Sequence, residues 1–246
     1  MNFRKQLPRQ AIGVIAPSAN VVVEWTAINL MRFFPNVGLH FARVAMRGAV
    51  DPHPDGYDTE AMLRAAQLLA DAEPDVILWA GSKGALVSIE KDEALCSAIK
   101  AKTGVEATTP TIALRELSKP ERRVALVTPY TAPYQKRLME GLGQLGISCA
   151  AERHAGVSDN LAYAEIAPEQ IVRMAREAVR DSSAKPDFVL TWCTNFPVAS
   201  VVEEIERELD ISVVDATLLG VKQALSFLGV DPSPARSWGR LFVPDR

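Results

Sequence analysis

Short apolar runs rich in β-branched residues recur along the chain at 11–16, 39–45, 75–80, 123–128, 147–151, 187–192 and 211–215. They are continuous rather than alternating, which suits strands covered on both faces of a parallel sheet. Segments with helical spacing lie between them, at 58–72, 85–103, 134–145, 168–181, 197–209 and 217–228. Strand alternating with helix predicts an α/β fold built from right-handed crossovers.

The pattern repeats once. The stretch Pro74-Asp75-Val76-Ile77-Leu78-Trp79-Ala80-Gly81 returns 112 positions later as Pro186-Asp187-Phe188-Val189-Leu190-Thr191-Trp192-Cys193. Gly13-Val14-Ile15-Ala16-Pro17-Ser18 matches Ala125-Leu126-Val127-Thr128-Pro129-Tyr130 at the same offset. Two copies are too few for a solenoid and predict two homologous lobes, here 1–118 with 217–246, and 119–216. Each lobe is expected to be a parallel sheet flanked by helices, with the active site in the cleft between them. Ligands of open parallel sheets bind beyond the carboxyl ends of the strands. Four loops are therefore expected at the cleft, 17–20, 81–84, 129–132 and 193–196, with Gly81 opposite Cys193 and Ser18 opposite Tyr130.

Composition narrows the partners. In 246 residues, 48% are hydrophobic and 23% charged, the profile of an ordinary soluble globular protein. With 27 Lys and Arg against 30 Asp and Glu and no basic run, nothing supplies the patch that nucleic acid requires, so the expected ligand is small. Three widely spaced cysteines offer neither a disulfide framework nor a zinc motif, which points to a reducing cytoplasm. No apolar stretch approaches about 18 residues, so neither an export signal nor a membrane span is expected. His40, His53 and His154 have no metal or triad spacing, and no phosphate loop or dinucleotide fingerprint occurs, so no cofactor and no metal are expected. A homo-oligomer remains open.

Cys193 ends a strand ahead of a predicted helix with Pro197 in its first turn, where amides and the macrodipole stabilise a thiolate. It is a candidate nucleophile or proton shuttle, with the small buried apolar residue as the alternative. Cys96 and Cys149 fall inside a helix and a strand and read as packing. Ser18, Asn20, Ser82, Tyr130, Thr194 and Asn195 gather at the four strand ends and, with loop N–H groups, can cradle a carboxylate. Each taken alone is equally a helix cap or a turn former. Lys83 offers a positive charge to the same anion.

Segments 13–20, 56–58, 81–82, 123–130, 192–193 and 239–242 resemble the Asp/Glu racemase superfamily, and more closely its branch with maleate cis-trans isomerase and arylmalonate decarboxylase. Most racemases and maleate isomerases carry a cysteine in both lobes. Here Cys193 matches the second, while Gly81 stands in place of the first, as in arylmalonate decarboxylase. The resemblance implies cofactor-free decarboxylation of a malonate-type diacid, with Cys193 protonating the enediolate and no metal. It further implies a cradle of Ser82, Tyr130 and Thr194, with Tyr57 lining the pocket. Asn20 and Asn160 are similar to the carboxylate-binding asparagines of the maleate isomerases, so an isomerase or racemase acting on a small dicarboxylate is the alternative. Lys83 departs from the small hydroxyl that the resemblance implies, and Thr194-Asn195 from the decarboxylase glycines. A third possibility is a non-catalytic dicarboxylate-binding protein.

Overall fold

The computed structural model describes residues 8–46, 53–117 and 121–243. The fold is α/β, as the alternating pattern predicts, with two four-stranded parallel sheets among the described residues. The first has the order β2-β1-β3-β4, from β1 (Gln10–Pro17), β2 (Val37–Val44), β3 (Val76–Trp79) and β4 (Glu106–Thr108). The second has the order β6-β5-β7-β8, from β5 (Arg122–Thr128), β6 (Ile147–His154), β7 (Phe188–Thr191) and β8 (Val213–Asp215).

The repeat persists in the hydrogen-bonding register. Ile12 pairs with Val76 and Ile15 with Trp79; 112 positions on, Val124 pairs with Phe188 and Val127 with Thr191. The Pro-Asp dipeptides explain why. Asp75 Oδ2 accepts from the Ala11 N–H at 2.7 Å, and Asp187 Oδ2 from the Arg123 N–H at 2.8 Å. Each aspartate N–H donates back, to Ala11 O at 2.9 Å and Arg123 O at 2.7 Å, so a carboxylate pins each strand pair at its amino-terminal edge.

The helices are α1 (Val22–Leu30), α2 (Thr59–Ala70), α3 (Gly84–Val87), α4 (Ile89–Thr103), α5 (Pro110–Leu117), α6 (Ala132–Gln144), α7 (Pro168–Arg180), α8 (Val202–Leu209) and α9 (Ala216–Phe227). Three elements escape the sequence pattern. α1 opens in a β-branched run and has no side-chain cap of its own at Val21, while β4 has three residues and α5 eight, too short for a periodic signal. The helix expected over 85–103 is broken at Ser88 into α3 and α4. The one expected over 197–209 begins only at Val202, after a 3-10 turn at Val198–Ser200.

Ile15, Ile77 and Trp79 form the outer-face core of the first sheet, where they meet Met62 and Ala66 of α2 and Leu95 and Ile99 of α4. The other core runs without interruption through both sheets, from Val14 and Leu78 to Val127 and Leu190. α9 leaves β8 and packs on α5, α1 and β3, which ties the second half of the chain to the first sheet. Glu206 of α8 fastens the C-terminal turns, accepting from the Arg240 and Val213 N–H groups at 2.8 and 2.9 Å. No helix among the described residues is long and apolar enough to cross a membrane.

Candidate active site

The loops after β1, β3, β5 and β7 converge on one cleft that encloses about 130 Å³. Cys193 lies at its floor, 5% exposed. Burial pushes its thiol up to about 12, with the Asp215 charge adding to the effect, while the Asn195 N–H and the Tyr130 hydroxyl act against it. The Asn195 N–H reaches Sγ at 3.4 Å. Because α8 starts only at Val202, the helix expected directly after the cysteine does not form there, and the Asn195 N–H of the loop is the amide that reaches the sulfur. Burial therefore favours the thiol of Cys193 over its thiolate.

The Tyr130 hydroxyl, beside the Cys193 thiol, and Ser82 Oγ are 3.2 Å apart. The Tyr130 ring is clamped by Tyr134 and Tyr163, with centroids 5.4 and 5.7 Å away. Burial raises its phenol well above the ordinary value, so the group stays a neutral donor. Trp192 Nε1 donates to Ser82 O at 2.8 Å and holds the 81–84 loop against the second sheet. Lys83 lines the cleft, and its ammonium donates to His53 O and stands 5.8 Å from the Tyr57 ring centroid. Among the described residues no group of three His, Cys, Asp or Glu side chains is placed to hold a metal ion.

Asn20, Thr194, Asn195 and Asn160 also border the cleft, but much of their hydrogen bonding joins the two lobes to each other. Asn20 Nδ2 donates to Thr194 Oγ1 at 2.8 Å, and Thr194 Oγ1 donates to Ala80 O at 2.9 Å. Asn195 Oδ1 accepts from the Val21 and Val22 N–H groups at 3.0 and 3.1 Å, while Asn20 Oδ1 accepts from Val23 N–H at 3.0 Å. Asn195 Nδ2 donates to Asn160 O at 2.6 Å and Ala19 O at 3.3 Å. The missing cap of α1 is thus supplied mainly from the other lobe, two residues after Cys193. Helix N–H groups that lack intrahelical partners need such an acceptor.

The structure gathers Cys193, Asn20, Gly81, Ser82, Lys83, Tyr130, Asn160, Thr194 and Asn195 around one cavity and leaves two expected residues outside it. Ser18 Oγ donates to Met46 O at 3.1 Å and accepts from Met46 N–H at 3.0 Å, which spends the hydroxyl on joining two loops. Tyr57 lies behind the cleft wall, its hydroxyl donating to the buried Asp92 carboxylate. That carboxylate, which also accepts from Thr109 Oγ1 at 2.5 Å, is pushed up to about 6 by burial against the pull of these donors. Trp79, Tyr134 and Tyr163 line the cleft without having been singled out. The repeat held a signal for Trp79, since it matches Thr191; the tyrosines carry none.

The comparisons with known proteins agree with this geometry. A family model described as arylmalonate decarboxylase matches residues 12–242. A maleate isomerase of Nocardia farcinica is 29% identical over 95% of this chain and 96% of its own length. An arylmalonate decarboxylase of Bordetella bronchiseptica is 27% identical over 97% of this chain and 98% of its own. The solved structure of a cysteine-to-serine variant of the Nocardia farcinica maleate cis-trans isomerase, with a covalently bound succinylcysteine intermediate, superposes with a TM-score of 0.80 at 27% identity. That match covers 96% of this chain and 99% of the isomerase.

Proposed function

We propose that this chain, which belongs to the arylmalonate decarboxylase family, is a cofactor-independent decarboxylase of a malonate-type dicarboxylic acid. One observation carries the reading: the cleft holds a single cysteine, Cys193, kept protonated by burial, and the matching strand end in the other lobe offers Gly81. Decarboxylation through a carbanion needs one proton donor. Isomerisation by thiolate addition needs an ionised sulfur, and two-base racemisation needs an acid on each face.

The bond between the α-carbon and one carboxylate breaks, carbon dioxide leaves, and the bonding pair passes into an enediolate on the remaining carboxylate. Ser82 Oγ and Tyr130 Oη stand side by side as donors to that developing charge, and such donors each contribute on the order of 10²- to 10³-fold in rate. The Tyr134, Tyr163 and Leu86 side chains give the cleft one apolar stretch of wall, where a carboxylate is disfavoured and release of neutral carbon dioxide favoured. The Cys193 S–H gives its proton to the α-carbon and becomes a thiolate. A thiolate in so dry a place is a strong base, so solvent reprotonates it and the cycle closes.

The test is an assay of malonate, phenylmalonate, 2-methyl-2-phenylmalonate, maleate and L-glutamate for carbon dioxide, fumarate and loss of optical activity. The expected result is carbon dioxide from a malonate, with one enantiomer in excess from the prochiral substrate. Rapid conversion of maleate to fumarate without carbon dioxide would establish the isomerase instead. The Nocardia farcinica relative and the asparagines Asn20 and Asn160 at the cleft favour that second reading.

A further inference from the structure

We infer that Trp79 is the specificity-determining residue of the first lobe: its indole occupies the position into which a side chain at residue 81 would project, and so keeps an acidic side chain from standing there opposite Cys193. The inference concerns the geometry of the cleft and rests on the decarboxylase reading only for what it implies about stereochemistry.

Trp79 and Gly81 lie two positions apart at the end of β3, the spacing that places side chains on one face of a strand. Their counterparts in the second lobe are Thr191 and Cys193. Thr191 is small and turns its hydroxyl to Asp215 Oδ2 at 3.1 Å and Val214 O at 3.4 Å, and Cys193 keeps its side chain. In the first lobe the sizes are reversed. A Cβ built on Gly81 would lie 2.3 Å from Trp79 Cζ2, 2.4 Å from Cε2 and 2.8 Å from Nε1, inside any real carbon contact.

The ring is held on the side away from the cleft. Trp79 is fully buried in the cluster with Ile15, Met62 and Leu95. Tyr57 meets it edge-on, with centroids 6.0 Å apart and planes at 81°, and Tyr57 is itself held by Asp92. The glycine is thus more than a missing cysteine, because with tryptophan at 79 any side chain at 81 has to displace the indole. The indole Nε1 is buried without a hydrogen bond, although the Tyr57 hydroxyl is close enough to feel it. An indole N–H can donate a hydrogen bond but does not release its proton near neutral pH. The indole can therefore contact a bound carbanion and cannot protonate it.

The test is a pair of double-mutant cycles, Gly81→Ala with Trp79→Phe, and Gly81→Cys with Trp79→Thr. Melting midpoints, racemisation of (R)-2-phenylpropionate, and alkylation of the residue-81 thiol by iodoacetamide in a Cys193→Ser background are measured. Gly81→Ala alone should lower the midpoint by several degrees, and by much less when Trp79 is already phenylalanine, since residues in contact are not additive. Gly81→Cys alone should react slowly with iodoacetamide and leave racemisation at the wild-type rate. Trp79→Thr/Gly81→Cys should expose the thiol and, with an acid now on both faces, raise racemisation about tenfold or more over either single variant. Additive midpoints in the first cycle, or a freely alkylated thiol in Gly81→Cys, would overturn the inference. Because the alanine cycle uses small changes and reads stability, it decides the matter even if the threonine variants fail to fold. Absence of turnover on every malonate would sink the decarboxylase reading while leaving the cycles intact.

Discussion

At their amino-terminal edges the two central strand pairs are near copies of each other, and at their carboxyl ends they are not. Asp75 and Asp187 make the same pair of hydrogen bonds to Ala11 and Arg123. The partners of each clamp are 64 residues apart in sequence, and the clamp sets a register that carries through to the far end of each strand pair. There the first lobe ends in Trp79 and Gly81, the second in Thr191 and Cys193. A common frame thus presents an indole on one side and a thiol on the other. The buried carboxylates differ in the same way. Asp215 caps α9 through the Thr217 and Leu218 N–H groups at 3.0 Å, while Asp92 is held by the hydroxyls of Tyr57 and Thr109.

The sharpest way to break the contrast is to remove the thiol. Cys193→Ala should lower carbon dioxide release by about 10²- to 10⁴-fold, the usual contribution of a general acid, while leaving binding of phenylmalonate by calorimetry largely unchanged. Near wild-type turnover would mean that the lobes do not differ in the way described. Tyr130→Phe and Ser82→Ala come next, each slowing turnover by about tenfold or more. A loss confined to KM would assign them to ground-state binding instead.

The bond network between the lobes gives a smaller effect. Asn195→Ala removes the acceptor for the first amides of α1 and should cost about 1–2 kcal/mol in stability by denaturant titration. Asn195→Asp keeps the acceptor and should recover most of it, though not the Nδ2 bonds to Asn160 and Ala19. Equal losses in both variants would show that the cap is not what Asn195 contributes.

The two buried aspartates make a pH prediction. Burial raises both Asp92 and Asp215 to about 6 from an ordinary value of 3.8. The folded protein therefore binds protons more readily than the unfolded chain between about pH 4 and 6, and stability falls as pH rises through that window. The melting midpoint should be a few degrees higher at pH 5 than at pH 7, and Asp92→Asn should flatten part of that slope. A midpoint that rises steadily from pH 5 to 7 would contradict it. The smallest effects belong to Cys96 and Cys149, whose thiols burial raises to about 12 and about 11. Cys96→Ala and Cys149→Ala should leave turnover within about twofold, at a packing cost on the order of 1 kcal/mol.

The alternation of apolar runs and helical segments determined the α/β class, and the 112-residue repeat determined which four loops meet. Both are written in the sequence, because a strand buried on two faces has to be apolar throughout, and the Pro-Asp clamp of each strand pair recurs at the same offset. Tertiary structure decided what each polar side chain does. Nothing in the spelling of Asn195 says that it caps a helix from the other lobe, or that Tyr57 turns away to Asp92 and Ser18 to Met46. Hydrogen-bond partners distant in sequence are set by how the lobes dock, and α1 gains the Asn195 acceptor for its first amides only when they do. Likewise the sequence determined that residue 81 is glycine, while only packing, with the Trp79 ring standing where a Cβ would be, decided why it has to be.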